Sequence, residues 1–409
     1  MTTRPRTAPT AEDVRRAWRA AADVVVRTPV LSSRTLSERA GGRVALKAEN
    51  LQRTGSFKLR GALARIRALG PAAAAGVVTG SAGNHAQALA YAARVRGVPC
   101  EVFMPAHAAI AKAEAAAALG AVVQLGGASV EECVEAARAQ AFESGMAFVH
   151  PFDDPDVIAG QGGVGLELLE DVPDLAMVVV PVGGGGLVSG IALAVRDARP
   201  EIRVVGVQAA PCAAVAESLR RGEPAEVRAS LTIADGIAVK RPGELTLGLI
   251  SRLVDDVVVV SDDEVGEAMV LLLERSKLVV EGAGAVGVAA LLAGRVRPAA
   301  EGTTAVVLSG GNVDAGLLAS VARRHETEVG RRLVILTRLP DRPGELSRLL
   351  ARVAEAGANL LDVEHVREGM DLHVYESVVQ LVLETRGREH AAEVLGAVTS
   401  AGYETRVLR

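Results

Sequence analysis

The sequence predicts an α/β protein of parallel sheets covered on both faces, followed by a smaller ferredoxin-like domain. Between residues 44 and 308, short β-branched runs without polar alternation recur, each followed by a helical stretch. That is the pattern of strands buried on both sides. After a charged run, Arg323-Arg324-His325-Glu326-Thr327-Glu328, read as a linker, the order becomes βαββαβ, the split ferredoxin-like motif. The 409 residues leave room for two or three folding units.

In order, Thr10 and Asp13 form a capping box that starts a helix to about Ala22. Residues 24–30 are extended and Val44–Glu49 is a strand. Strands are expected at Val77–Thr79, Cys100–Met104, Val122–Leu125 and Phe148–His150, with helices between them ending near Arg96, Leu119 and Ser144. A helix over Gly162–Leu169, a strand at Met177–Val180, a helix to Arg196 and strands at Val204–Val207 and Val257–Val260 follow. Helices over Asp262–Arg275 and Ala283–Leu292 and a strand at Ala305–Leu308 complete this region. The last domain has strands at 333–339, 359–366, 373–383 and 403–408, with helices at 344–356 and 389–400.

Net charge is -4 and aromatics are 2% of the chain, which argues against a nucleic-acid footprint. Cys100, Cys133 and Cys212 are too scattered for a disulfide framework or a metal motif, and fit a reducing compartment. Ala176–Val195 is uncharged for twenty residues, but Pro181 and Gly183–Gly186 break it, so it reads as a strand turning into a helix. With no apolar signal core after Arg4 and Arg6, a soluble, cytoplasmic protein outside the membrane is expected.

Only five lysines stand against forty arginines. A lysine kept among so many arginines points to amine chemistry, because an amine can lose its proton and form a Schiff base. Lys58 follows Phe57 between Gly55 and Gly61. Ser81-Ala82-Gly83-Asn84-His85 joins a strand end to a helix start, where free N–H groups receive an anion. Gly183-Gly184-Gly185-Gly186-Leu187 repeats that setting for a phosphate. It lacks the third glycine and the following acid of a dinucleotide fingerprint, and the Gly-Lys-Ser/Thr of a P-loop. Ser309-Gly310-Gly311-Asn312 follows the strand at 305–308. A phosphorylated aldehyde held on a lysine uses all of these features, and pyridoxal 5′-phosphate is the obvious candidate.

Ser56-Phe57-Lys58-Leu59-Arg60-Gly61-Ala62, with the other three motifs in order, resembles the threonine dehydratase / serine racemase branch of fold-type II pyridoxal-phosphate enzymes, which are tryptophan synthase β-like. Asp341-Arg342-Pro343-Gly344-Glu345-Leu346 resembles an ACT regulatory domain. The resemblance implies a catalytic domain over 1–328, with a smaller subdomain at about 52–155, and an ACT domain over 331–409. It makes Lys58 the Schiff-base lysine and places Phe57 on the cofactor ring. Asn84 would then meet the 3′-oxygen, and Ser81 with Ala82, Gly83, Asn84 and His85 the substrate carboxylate. It gives the phosphate to Gly183, Gly184, Gly185, Gly186 and Leu187, and the ring nitrogen to Ser309 beside Gly310. Gly236 and Glu281 fall near the ring edge.

The implied reaction is elimination of water from L-threonine followed by hydrolysis of the enamine to 2-oxobutanoate and ammonia, with L-serine to pyruvate beside it and no metal. A neutral Ser309 leaves the charge at Cα less delocalised, so loss of the β-hydroxyl competes well with reprotonation. Serine racemase is the near alternative. In racemases of this family a Ser takes the position of Ala82, and divalent-cation members carry carboxylates near Cys212 and Ala214. A non-catalytic amino-acid sensor is the alternative from another class, but neither Lys58 nor the glycine loop is lost. An ACT domain implies an amino-acid effector, isoleucine first as in isoleucine biosynthesis, bound near Asp341, Gly344 and Asn359, and a homotetramer.

Overall fold

The computed structural model describes residues 7–228, 230–366 and 373–408. Arg4 and Arg6 lie outside them. The chain divides into two compact units, residues 1–313 and 314–409.

The strands of the first unit are β1 (Val30–Ser32), β2 (Val44–Lys47), β3 (Val77–Gly80), β4 (Cys100–Met104), β5 (Val122–Leu125), β6 (Ala147–Phe148), β7 (Leu175–Pro181), β8 (Arg203–Ala209), β9 (Asp256–Val260) and β10 (Thr303–Val307). They form a six-stranded sheet, β1-β2-β10-β7-β8-β9, and a four-stranded sheet, β5-β4-β3-β6. All pairs are parallel except the edge pair β1–β2, which runs antiparallel and departs from the purely parallel expectation. The Val side chains of β7, β8 and β10 are buried almost completely. The helix Gly282–Leu292 behind them is apolar all round and nearly all buried, as a helix inside a core must be.

The expected capping box exists: Thr10 Oγ1 accepts from Asp13 N at 3.2 Å, and Thr10 N donates to Asp13 Oδ2 at 2.9 Å. Helices at Arg34–Ala40, Pro155–Gln161, Ala214–Arg221 and Glu244–Leu253 were not legible. The first three are only one to two turns long, too short for a periodicity to register. The helix expected over 262–275 is α only to Leu271; a π turn, Leu272–Ser276, then ends in Lys277 at φ 60°. The charged run at 323–328 is no linker but the end of the helix Ala315–Glu328.

In the second unit β11 (Arg332–Pro340), β12 (Asn359–Val366), β13 (Glu376–Glu384) and β14 (Thr405–Leu408) form an antiparallel sheet in the order β12-β13-β11-β14. Helices Glu345–Glu355 and Arg388–Ser400 complete βαββαβ, with Leu349, Val353, Val394 and Val398 packed on Leu333, Ile335, Val379 and Leu381.

Inside the first unit, four charges are buried together. Lys47 and Glu49 are 0% exposed, and Arg60 and Glu167 are 2%. Arg60 donates to both oxygens of Glu49 at 2.8 Å and to those of Glu167 at 2.7 and 2.9 Å. Lys47 Nζ lies 2.7 Å from Glu167 Oε2. Burial opposes the Arg60 charge, but the two glutamates outweigh it and raise its pKa. Removing one partner leaves a buried charge uncompensated. Glu167→Ala is therefore expected to destabilise the first unit by about 3–5 kcal/mol, read as an earlier urea transition.

Candidate active site

Lys58 is the first residue of the helix Lys58–Leu69 and is half-buried. Its segment docks on the end of β10: Phe57 N donates to Ser309 O at 3.1 Å, and Ser56 pairs with Gly310 in a single bridge. Lys58 and Ser309, 251 positions apart in the chain, thus come to one place. Lys58 Nζ donates to the carbonyl of Pro151 at 2.8 Å and lies 5.2 Å from the Phe57 ring centre. Burial pulls its pKa down to about 8, against the pull of Glu281.

Ser81–Gly83 form the turn between β3 and the helix Asn84–Arg96. Gly83 N donates to Ser81 Oγ at 3.3 Å, so that hydroxyl is partly engaged by its own turn. The Asn84 amide is engaged on both sides, donating to Glu281 Oε1 at 2.7 Å and accepting from Asn312 Nδ2 at 2.7 Å. Glu281 is 5% exposed. Burial, then the charge of Asp235, push it up to about 7, while Asn84 and Lys112 oppose the rise. Gly236 lies beside it, since a side chain there would reach to 3.4 Å from Glu281 Oε1. His85 is buried and held neutral, its pKa pushed down to about 3 by burial and then by the charge of Lys58.

The glycine loop follows β7 and opens the helix Gly186–Ala198, with Gly185 at φ 93°. Leu187 is 4% exposed and belongs to the core. A side chain on Gly184 would come within 2.3 Å of the Phe152 ring, and one on Gly183 within 3.0 Å of Ile237 Cα. The backbone is thus the surface this loop offers, which fits a phosphate taken by N–H groups. Ser309 is 2% exposed at the end of β10, and the Ser56 hydroxyl, 0% exposed, has no partner. A half-buried lysine amine, a bare glycine loop and buried hydroxyls together fit pyridoxal 5′-phosphate.

The segment His150-Pro151-Phe152-Asp153, which touches both Lys58 and the glycine loop, is given no role by the sequence motifs, and neither is Asn312. Two of the five phenylalanines, Phe148 and Phe152, cluster there, and in a chain so poor in aromatics that is the available signal. Two ion pairs join the small-sheet helices to the 235–240 stretch: Lys112 with Asp235 at 2.9 Å and Lys240 with Glu131 at 3.0 Å. Among the described residues no cluster of three His, Cys, Asp or Glu could hold a metal ion.

In the second unit Asp341 and Gly344, at φ 91°, lie just after β11, whereas Asn359 begins β12 and donates to Glu384 Oε2 at 3.1 Å. Because β11 and β12 each pair antiparallel with β13, they run parallel to each other. Asn359 thus sits level with Arg332, at the far end of a nine-residue strand from Asp341, or roughly 30 Å away by strand rise. Within one chain these residues do not form one site.

The family model for pyridoxal-phosphate dependent enzymes matches residues 21–310. The chain is 45% identical to the L-threonine ammonia-lyase of Thermotoga maritima over 400 residues, 98% of this chain and 99% of that protein. A solved T.th. threonine deaminase is 43% identical, with TM-score 0.70, over 75% of this chain and 99% of that one. Maize serine racemase is 36% identical, with TM-score 0.74, over 79% and 99%.

Glu281 yields a pH dependence. Its folded pKa, about 7, lies above its ordinary 4.5. Between those values the native state binds more protons than the unfolded one, so its contribution to stability falls as pH rises. Glu281→Gln, which does not titrate, is expected to lack this slope. Urea midpoints of the two proteins compared across that window check it.

Proposed function

The chain belongs to the pyridoxal-phosphate dependent enzyme family, and we propose that it deaminates L-threonine to 2-oxobutanoate and ammonia, with L-serine as a second substrate. The observation that carries the reading is the Lys58 amine, its pKa near 8, at the start of a helix docked on Ser309.

Bound there, pyridoxal 5′-phosphate supplies an electron-withdrawing ring that stabilises the charge left at Cα when a substrate proton is removed. Gly183 to Leu187 would hold its phosphate, and Phe57 would pack on the ring. Asn84 would meet the 3′ edge with Glu281 behind it, Gly236 the ring edge, and Ser309 beside Gly310 the nitrogen. The turn from Ser81 to His85 receives the substrate carboxylate on backbone N–H groups at a helix start. Lys58 Nζ takes the Cα proton. A base whose pKa lies near the working pH is suited to that step, because enough of it is unprotonated. The elimination then expels the β-hydroxyl, which leaves as water with a proton equivalent to the one taken from Cα, and the released enamine tautomerises and is hydrolysed to 2-oxobutanoate and ammonia. Ala82 offers no hydroxyl to return a proton on the opposite face, which favours elimination over racemisation.

The second unit we assign as an ACT-type sensor of a free branched-chain amino acid in a cytoplasmic homotetramer. The turn at Asp341 and Gly344 leaves helix-start amides for a carboxylate. With Asn359 at the other end of the sheet, a shared ligand must lie between two copies.

Lys58→Ala is expected to lower 2-oxobutanoate formation by at least about 10²–10⁴-fold, the range for loss of a catalytic base alone. Substantial turnover by the purified variant would sink the assignment. Isoleucine or valine is expected to shift threonine half-saturation through a coupling of about 1–3 kcal/mol, and Asn359→Ala to remove the shift. A full-length enzyme indifferent to every common amino acid would leave the second unit a purely structural role.

A further inference from the structure

We propose that the turn His150-Pro151-Phe152-Asp153 is a rack that sets the Lys58 amine against the glycine loop, with His150 as its positioning residue. This rests on Lys58 being the cofactor-bearing lysine.

The turn begins where β6 ends. Val149 N donates to Val78 O at 2.9 Å, continuing the parallel pairing with β3. Val149 O lies 2.9 Å from the Thr79 hydroxyl, which donates to it, and 3.3 Å from His85 Nε2. A ring nitrogen facing a carbonyl must carry the proton, so His85 donates too. The start of the turn is thereby tied to β3 and to the substrate-side helix.

His150 then closes the turn on itself. Its Nδ1 accepts from Phe152 N at 3.3 Å and from Asp153 N at 2.8 Å. Both bonds require an unprotonated Nδ1. This closure leaves the Pro151 carbonyl aimed at Lys58 Nζ, 2.8 Å away. Donation to a fixed acceptor holds one N–H of the amine in place, which excludes that direction for the lone pair of the neutral form and leaves it two positions instead of three.

The next two residues reach the glycine loop. The Phe152 ring stands edge-on to His150, with centres 4.6 Å apart, and occupies the place a side chain on Gly184 would need. Asp153 Oδ1 accepts from Thr246 N at 3.1 Å, in the first turn of the helix Glu244–Leu253, whose cap Gly243 has no side chain to offer. Thr246 in turn underlies Gly185, where a Cβ would come within 3.0 Å of its own. Four consecutive residues thus touch the amine, the loop and the helix beneath the loop. Displacing the turn moves the amine relative to the phosphate site, and an error of about 1 Å between reacting groups costs roughly 10²-fold.

The test compares His150→Leu, which cannot accept the two N–H groups, with His150→Asn, whose side-chain oxygen can. Measured are kcat and KM for threonine in the holoenzyme, the rate at which cofactor-free protein regains its visible absorption band with pyridoxal 5′-phosphate, and the melting temperature. His150→Leu is expected to lose about tenfold or more in both kcat and uptake rate, with KM and melting temperature little changed, and His150→Asn to recover most of both. An unimpaired Leu variant, an Asn variant as poor as Leu, or losses that only track a lowered melting temperature would overturn the proposal. Borohydride reduction and peptide mapping of the wild type test the underlying assignment separately, since label away from Lys58 would overturn that instead.

Discussion

Two positive and two negative charges, buried together, fix where the Lys58 helix begins. Arg60 lies two residues past Lys58 and is gripped by Glu49, just beyond β2, and by Glu167, on the helix Gly163–Asp171. A planar guanidinium that makes paired bonds to two carboxylates tolerates little rotation of its helix. Since each helical residue turns the chain by about 100°, fixing Arg60 also fixes the direction in which Lys58 leaves the helix. A hydrophobic replacement of the whole group could be equally stable, because desolvation offsets much of the attraction. What the cluster adds beyond stability is a fixed helix register two residues from the amine.

The parts of the architecture written in side-chain pattern were legible. Buried strands announce themselves by runs such as Val178-Val179-Val180, and glycine runs by the backbone they expose. The antiparallel edge at β1 was not legible, because three residues carry no direction. The linker reading at 323–328 fails because charge alone does not mean flexibility: Arg324 and Glu328 are spaced to pair along a helix and do so at 3.0 Å. At the site, the lysine, the anion turn and the glycine loop stood out by residue type. The His150–Asp153 turn did not, because half of what it does is done by backbone atoms, which a sequence does not distinguish.

The ionisable groups around the site are set by burial more than by partners. Lys58 is drawn down, Glu281 up and His85 down, and in each case desolvation is the largest cause. All three shifts favour the neutral form, as suits a pocket meant to receive an anionic cofactor and a zwitterionic amino acid. The second unit is organised otherwise: its apolar core is mainly Leu and Val, with Ile335, between sheet and helices, and its candidate ligand residues are exposed.

The scarcity of lysine has a practical edge. Lys47 is sealed within the core, so the lysines left to reagents that couple through primary amines are the half-buried Lys58, Lys112, Lys240 and Lys277. Lys112 and Lys240 are the cations paired with Asp235 and Glu131, 32% and 40% exposed at the side chain. Immobilising or cross-linking this protein by ordinary amine chemistry would therefore neutralise those bridges or staple them shut. Preparations tethered that way would report the behaviour of a protein without those two bridges, and attachment through engineered surface thiols avoids the artefact.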